Sequence, residues 1–133
     1  MNFKTQQEGF WAGEFGDSYI QRNKSEDYLA ANIALFAEIL KSTNNIRSAI
    51  EFGSNVGLSL KAINQLMPKI LLSAIEINVN AVKELKKINN LEVFNTSILE
   101  FTPTKIFDFV LIKGVLIHID PKELQNVYKT LYD

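Results

Sequence analysis

From residue 48 onwards, short apolar runs alternate with segments of helical periodicity. The runs "SAIEF", "ILLSAIE", "LEVFN" and "FDFVLIK" are typical of buried strands, and "GLSLKAINQLM" and "NAVKELKKI" between them are typical of helices. Strands joined by helical crossovers lie parallel, since a helix-length connection is needed to bring the chain back in the same direction. The pattern therefore predicts an α/β fold, a Rossmann-like three-layer sandwich with at least four parallel strands in the order 3-2-1-4.

Apolar residues recur at helical spacing within the predicted helices and mark the faces expected to be buried. These positions are Leu58, Ala62 and Leu66 in the first helix and Ala81, Leu85 and Ile88 in the second. A last helix is expected after Asp120, which stands at the N-cap position with Pro121 at N1 and Glu123 at N3.

The N-terminal third predicts helices rather than strands. Thr5 and Glu8 have the spacing of a capping box, which predicts a short helix, and the three glycines that follow predict an irregular segment after it. Ser25 is the expected N-cap of a longer helix that ends near Asn44 and Asn45. We therefore expect one domain in which residues 1–45 form a cap segment on the α/β core of residues 46–133.

Composition limits the class of protein and its partners. The chain has 133 residues, of which 47% are hydrophobic and 22% are charged, enough for a compact domain with a core. A net charge of −1 provides no basic field for a phosphate backbone, so nucleic acid is not an expected partner. There is no cysteine, and no cluster of histidines or carboxylates predicts a metal site. The sequence has neither a secretory signal nor a membrane-spanning run, which predicts a soluble cytoplasmic protein.

The stretch "AIEFGSNVG" carries the strongest functional signal. Glu51 ends the first predicted strand, Gly53 and Gly57 form a flexible turn after it, and Glu76 ends the second strand. A strand, a glycine loop and a helix present backbone N–H groups to a ligand, and an acid at the end of the neighbouring strand can accept hydrogen bonds from ribose hydroxyls. The two strand ends therefore predict a nucleoside site.

The loop also indicates which nucleoside is bound. A dinucleotide fingerprint needs glycine at three positions, and here Asn55 and Leu58 stand at the second and third. This disfavours the pyrophosphate of a nicotinamide cofactor, although an oxidoreductase remains an alternative. Asparagine tolerates positive φ better than other non-glycine residues, so Asn55 is compatible with a tight turn.

The order E-x-G-x-x-x-G resembles motif I of class I S-adenosylmethionine-dependent methyltransferases, whose usual form is D/E-x-G-x-G-x-G. Glu76 resembles the motif II acid on the cofactor ribose, and "NTSILEF" and "FDFVLIKGVLIHI" resemble motifs III and IV. The resemblance implies S-adenosylmethionine as cofactor and implies that eleven residues bind it. They are Glu51, Gly53, Ser54, Asn55, Gly57, Glu76, Ile77, Ser97, Ile98, Lys113 and Gly114.

Across the whole chain, stretches such as "FWAGEFGDSYIQRN", "EFGSNVGLSLKAI" and "KGVLIHI" are similar to methyltransferase-like proteins associated with pseudaminic acid biosynthesis. This narrower resemblance implies methyl transfer to a small molecule, a sugar or sugar nucleotide of surface-glycan or flagellin-glycan biosynthesis. It also implies that the chain lacks the C-terminal part of the fold. A methyltransferase fold that serves as a binding or assembly module without catalysis is therefore the main alternative.

Three further features carry hypotheses of their own. His118 is a candidate general base beside the methyl acceptor, the alternative being a hydrogen-bonded turn residue. The aromatic residues Phe10, Trp11, Phe15 and Tyr19 are expected to be core rather than a stacking platform, in a segment whose glycines would let it move as a lid. Residues 109–112 are expected in an edge strand that could pair with a second copy of the chain.

Overall fold

A four-stranded parallel sheet forms the centre of the molecule, as the alternating pattern predicts. The computed structural model describes residues 2–22 and 26–133. The strand order is β3-β2-β1-β4, which confirms the predicted order. The strands are β1 (Ser48–Phe52), β2 (Leu71–Glu76), β3 (Leu91–Asn95) and β4 (Phe109–Ile112).

Helices cover both faces of this sheet. They are α1 (Gln6–Ala12), α2 (Glu14–Arg22), α3 (Glu26–Leu40), α4 (Leu58–Leu66), α5 (Val79–Leu85) and α6 (Leu124–Tyr132), with 3₁₀ turns at Leu116–His118 and Pro121–Glu123. Within the described ranges, no helix is both long and apolar enough to span a bilayer.

Side chains alternate between two cores on the two faces of the sheet. Ala49, Leu72 and Ala74 face one core, which they share with α3, α4 and α5. Ile50 and Ile75 face the other core, which is completed by α6 and the segment after β3. This alternation makes the three-layer sandwich, and it leaves the carboxyl ends of the strands as the edge where loops can surround a ligand.

The predicted capping box at the N-terminus is confirmed, but the irregular segment after it is wrong. The Thr5 N–H donates to Glu8 Oε1 at 2.7 Å, and the Glu8 N–H donates to Thr5 Oγ1 at 3.2 Å. Only Gly13 interrupts the helix, and α2 begins directly after it. Gly16 allows the two helices to meet, because a Cβ there would lie 1.8 Å from the Trp11 carbonyl oxygen. Ser25, the predicted N-cap of α3, lies outside the described residues.

Helix α3 ends at Leu40, earlier than predicted. The backbone N–H and the side-chain hydroxyl of Thr43 both donate to the Leu40 carbonyl, at 3.0 and 2.7 Å. These bonds close the last turn, and Asn45 takes a left-handed φ of 59° before β1 begins. The helix therefore stops through local capping, not at the asparagines.

The buried face of α4 differs from the predicted one. Its buried residues are Ser59, Leu60, Ala62 and Ile63, whereas Leu58 is only half-buried and Leu66 is exposed. The face is rotated because α4 packs against α3 on one side and the sheet on the other, and both contacts need burial. Helix α5 ends at Leu85, so Ile88 lies beyond the helix, although it packs on the same core.

The final helix starts as predicted. Asp120 accepts a hydrogen bond from the Lys122 N–H at 3.0 Å, and Pro121 opens a 3₁₀ turn that leads into α6. Val127 is the buried residue of α6. Strand β4 lies at the edge of the sheet, next to β1, as expected. Its pairing with a second copy stays a prediction.

Candidate functional site

A cavity of about 410 Å³ opens at the carboxyl ends of β1, β2 and β4. Of the twelve predicted site residues, eleven line this cavity, and Gly57 does not. The eleven are Glu51, Gly53, Ser54, Asn55, Glu76, Ile77, Ser97, Ile98, Lys113, Gly114 and His118. Residues from four separate loops are thus brought together at the sheet edge where a parallel α/β fold places its ligands.

The loop after β1 is fixed by its backbone. Gly53 has φ +78°, and a Cβ at this position would lie 2.7 Å from Val115 Cγ2. The N–H groups of Gly53 and Ser54 both donate to the Ile75 carbonyl, at 2.9 and 3.0 Å. Asn55 has φ 49°, so it occupies the left-handed region that its residue type tolerates. The loop is therefore a preformed turn held against β2.

Gly57 has a packing role instead of the predicted contact with the cavity. Its φ is +83°, and a Cβ would lie 2.7 Å from both Leu85 Cδ2 and Ile88 Cδ1. The glycine is needed because helix α4 starts where Leu85 and Ile88 approach the backbone closely. Gly57 thus has the spacing of the motif but does not line the cavity.

Glu76 is buried, and the protein binds both of its carboxylate oxygens. Oε2 accepts from the Asn55 N–H at 2.6 Å, and Oε1 accepts from the Asn78 N–H at 2.9 Å. Burial raises the pKa of Glu76, and the backbone hydrogen bonds oppose that shift. A carboxylate has about four lone-pair sites, so each oxygen can still accept a further hydrogen bond from a ligand hydroxyl.

Glu51 is also buried, with 4% of its surface exposed, but it is not satisfied. Its Oε1 has no hydrogen-bond partner among the residues that the structure describes. Burial raises the pKa of Glu51 to about 8. The Ser59 hydroxyl, the charge of Lys113 and the Ser54 hydroxyl oppose the shift, and the charge of Glu76 adds to it. A buried oxygen without a partner is costly, so a ligand that supplies a donor or a positive charge here gains binding energy.

Asn78 is a positioning residue that the sequence analysis missed. Its side-chain oxygen caps α5 by accepting from the Asn80 and Ala81 N–H groups, at 2.9 and 3.0 Å. Its amide nitrogen donates to the Trp11 carbonyl at 3.0 Å and to Asp17 Oδ1 at 2.9 Å. Asn78 therefore links helices α1 and α2 to the loop that holds Glu76. An asparagine between a strand and a helix signals an N-cap, but its contacts with residues 61 to 67 positions earlier have no local signal.

The aromatic residues are not core, which corrects the prediction. Phe10 is 51% exposed, and Phe15 and Tyr19 are both 37% exposed. Trp11 packs edge-on against Phe15 and Tyr19, with ring centroids 5.2 Å away in both pairs, and lines the cavity together with Tyr19. Two short helices cannot bury four large rings, so the rings pack against one another, and Trp11 and Tyr19 line the cavity. We call these four residues the aromatic cluster.

His118 lies at the same mouth, in contact with this cluster. Its ring centroid is 4.7 Å from that of Trp11, and its backbone N–H donates to the Val115 carbonyl at 2.9 Å. It is thus a turn residue by its backbone, while its side chain is exposed and lines the cavity. The structure is compatible with both predicted roles.

The remaining predicted residues line the other end of the cavity. Ser97 and Ile98 are buried, and the Ser97 hydroxyl accepts from the Leu99 N–H at 3.1 Å, which leaves its own hydrogen free to donate. Ile77 follows Glu76 directly and is half-buried. Two aliphatic side chains and one hydroxyl at this end form a surface that suits a flat heterocycle.

No protein-family model and no curated protein matches the chain. Solved structures do match. The plantazolicin methyltransferase BpumL in complex with S-adenosylhomocysteine has a TM-score of 0.71 and 20% identity, over 94% of this chain and 51% of that one. The sugar N-methyltransferase KedS8 from Streptoalloteichus sp ATCC 53650 has a TM-score of 0.69 and 18% identity, over 90% and 48%.

A third match, the N-methyltransferase NodS from Bradyrhizobium japonicum WM9 in complex with S-adenosylhomocysteine, has a TM-score of 0.64 and 17% identity, over 82% of this chain and 57% of that one. At these identities the likeness is one of fold, a Rossmann-like three-layer sandwich that this chain shares with the three matched methyltransferases. The chain spans about half the length of the solved structures that it matches.

Proposed function

We propose that this protein binds S-adenosylmethionine in the cavity and transfers its methyl group to a small molecule. The observation that carries the proposal is the pair of buried carboxylates, Glu51 and Glu76, which open into one cavity from the ends of adjacent strands. The matched solved structures support it, because BpumL and NodS each hold S-adenosylhomocysteine on the same fold.

The residues of the cavity fit this cofactor. Glu76 would accept hydrogen bonds from the ribose hydroxyls with the lone pairs that its backbone partners leave. Ile77 and Ile98 would cover the adenine ring, and the Ser97 hydroxyl would reach its amino group. The unpartnered oxygen of Glu51 would face the ammonium group of the methionine end, which removes the cost of its isolation.

The protein would contribute mainly alignment and exclusion of water. When bound, S-adenosylmethionine supplies a methyl group made electrophilic by its sulfonium. Holding an acceptor in line with such a group contributes about 7 to 11 kcal/mol in favourable cases, more than a general base of about 10²- to 10⁴-fold effect. We propose residues 1–45 as a cap over the cavity, and His118 as the group that takes the proton released by the acceptor oxygen or nitrogen.

Calorimetric titration with S-adenosylhomocysteine tests the proposal. We expect saturable binding of one molecule per chain and no comparable binding of NAD. Glu76→Ala should weaken binding by about 30- to 100-fold, since two hydrogen bonds to a charged group are lost. Glu92→Ala is the matched control, because Glu92 is an exposed carboxylate on β3 outside the cavity. Tighter binding of NAD, or equal effects of the two variants, would contradict the proposal.

A second candidate is a binding or assembly module of the same fold without catalysis. The observation in its favour is that the matched structures align with the cofactor-binding fold of this chain over about half of their own length, so they support binding more directly than turnover. The two candidates share the cofactor site and differ in turnover. Saturation by S-adenosylhomocysteine, without transfer of labelled methyl from S-adenosylmethionine to any of a panel of sugars and amines, would favour the module.

The acceptor class is the least constrained part of the proposal. A sugar or sugar nucleotide of glycan biosynthesis is our hypothesis from the sequence resemblance, and KedS8 is a sugar N-methyltransferase on the same fold. Methyl transfer to free sugars and to nucleotide sugars, measured side by side, distinguishes the two kinds of acceptor.

A further inference from the structure

A second groove, of about 460 Å³, adjoins the cofactor cavity. Gln7, Trp11, His118 and Ile119 line both spaces. The Trp11 and His118 rings, 4.7 Å apart, therefore lie where the cavity and the groove meet. A molecule in the groove lies next to the only histidine of the chain and next to the proposed cofactor.

The groove is apolar, with two amides and an imidazole as its polar groups. Its walls include Phe10, Trp11, Ile117 and Pro121, and its amides belong to Gln6 and Gln7. Phe10 is 51% exposed and Ile117 is 83% exposed. Exposed apolar side chains gathered around a concave surface are typical of a ligand site, because a ligand that covers them removes apolar area from water.

No lysine or arginine lines the groove in the part of the chain that the structure describes. Lys4, which precedes Gln6 by two positions in the sequence, has its ammonium group paired with Glu123 at 2.9 Å. A phosphate or carboxylate in the groove would therefore lose hydration without gaining a positive partner, and such a loss is not offset in an apolar site. The groove favours an uncharged ligand.

The aromatic wall is held in place by ring contacts. Trp11 packs edge-on against Phe10, Phe15 and Tyr19, and Phe10 and Phe15 stack with their centroids 4.2 Å apart. Rings fixed by one another form a preorganised surface, which reduces the entropy lost when a ligand binds. Such a surface fits the flat face of a ring better than a flexible chain.

We propose that this groove binds the methyl acceptor, and that the acceptor presents an uncharged ring there. The ring face packs on Phe10 and Trp11, and hydroxyl or amine groups at its edge bond to the amides of Gln6 and Gln7. An aromatic ring and a sugar ring share this chemistry. The inference rests on the proposed function for the role of the ligand, and it places the diphosphate of any nucleotide sugar outside the groove.

Trp11 is the only tryptophan of the chain, so its fluorescence reports directly on the groove. The protein saturated with S-adenosylhomocysteine is titrated with methyl glucoside, hydroxybenzyl alcohol and glucose phosphate. We expect a saturable change with at least one of the two neutral rings, and binding of glucose phosphate that is weaker by about tenfold or more. The two neutral probes distinguish a sugar from an aromatic acceptor.

Substitutions distinguish binding in the groove from binding to exposed aromatic residues elsewhere. Phe10→Ala and Gln6→Ala should each weaken binding of the neutral ring by about fivefold or more, since each removes a direct contact. Tyr132→Ala should leave it unchanged, because Tyr132 is 92% exposed on α6 and lines neither space. Melting curves confirm that the variants are folded.

The possible results distinguish a failure of the inference from a failure of the proposed function. Saturation by a neutral ring that is lost in Phe10→Ala supports the inference. Equal or tighter binding of glucose phosphate overturns it, and so does a fluorescence signal that no probe changes up to its solubility. Failure of S-adenosylhomocysteine to bind in calorimetry contradicts the proposed function alone, since the groove can be titrated without it.

Discussion

Two buried carboxylates at neighbouring strand ends differ in how the protein treats them. Glu76 accepts hydrogen bonds on both oxygens from the backbone of Asn55 and Asn78. Glu51, one strand away and equally buried, keeps an oxygen without a partner among the described residues. The fold satisfies both oxygens of one acid and leaves one oxygen of the other without a partner.

The backbone explains the difference. After β2, the chain turns so that the Asn78 N–H points back at Glu76, and the Asn55 N–H reaches the same group from the other loop. After β1, the N–H groups of Gly53 and Ser54 are already used by the Ile75 carbonyl, so neither is left for Glu51. This difference is expected in a binding site where one side chain is preorganised by the protein and the other gains a partner only from a ligand.

The largest effect on stability should follow from removing the satisfied acid. Glu76→Ala leaves two buried or half-buried N–H groups without partners, so we expect a loss of about 3 kcal/mol in the free energy of unfolding. Urea denaturation of the variant and the wild type measures the difference. An unchanged denaturation midpoint would show that the Glu76 hydrogen bonds do not stabilise the loop.

Removing the unsatisfied acid should have the opposite sign. Glu51→Gln removes a carboxylate whose ionisation is unfavourable in its buried site, and we expect a gain of about 2 kcal/mol at alkaline pH. The gain depends on pH in a defined direction. The pKa of Glu51 is raised from 4.5 to about 8 in the folded state, so the wild type is relatively most stable below 4.5 and loses stability as pH rises towards 8.

Melting temperatures of the wild type and Glu51→Gln, measured without ligand between about pH 4 and pH 9, test this sign, because that range extends below 4.5 and above about 8. The two curves should separate with rising pH and run parallel above about 8. Curves that stay parallel over the whole range would mean that Glu51 ionises as easily in the folded chain as in the unfolded one.

Asn78 allows a test of how the cap segment depends on the Glu76 loop. Asn78→Asp keeps the oxygen that caps α5 but replaces the amide donors that bind the Trp11 carbonyl and Asp17. We expect a loss of about 1 to 2 kcal/mol in unfolding free energy, and a change in Trp11 fluorescence as α1 separates from β2. Adding Asp17→Asn should restore part of the stability, since an amide then faces the new carboxylate.

Asn80→Ala is the control for the Asn78 and Asp17 variants. It removes the exposed hydrogen bond from the Asn80 side-chain amide to Asp17 Oδ1, which is 2.9 Å long, and leaves Asn78 intact. It should change stability and fluorescence little. An additive double variant, with no recovery, would show that Asn78 and Asp17 act independently.

The sheet and the rim of the site could be predicted from the sequence because both follow from short-range patterns. Apolar runs and helical spacing indicate parallel strands joined by helical crossovers, and the ligand-facing ends of parallel strands lie at the same edge of the sheet. Glu51, Glu76 and Asn55 were found in this way. Nothing in the pattern separates a satisfied acid from an unsatisfied one, since that depends on which N–H groups the loops have already used.

What the sequence did not predict depends on contacts between distant segments. Gly16 suggests a helix break by its residue type, yet it lies inside α2 because only glycine fits against the Trp11 carbonyl. The aromatic cluster suggests core by composition, but two short helices expose it beside His118. Gly57 belongs to the motif and still packs on α5 side chains. In each case tertiary packing decides against the local preference.

The smallest effect we expect is on ligand affinity, and it tests whether Glu51 meets a positive charge. In the free protein Glu51 is mostly protonated below about pH 8. If the ammonium of S-adenosylhomocysteine lies against it, binding ionises the carboxyl and releases a proton, so affinity rises with pH, by about tenfold in all as the pH approaches that value, and then levels off. Calorimetry in two buffers of different ionisation enthalpy measures the number of protons released on binding.

The Glu51→Gln variant is the control. It should bind more weakly above pH 8 (about tenfold), and its affinity should not depend on pH below that value. Equal slopes in both proteins would place the positive charge elsewhere, and the unpartnered oxygen would then need another donor from the ligand.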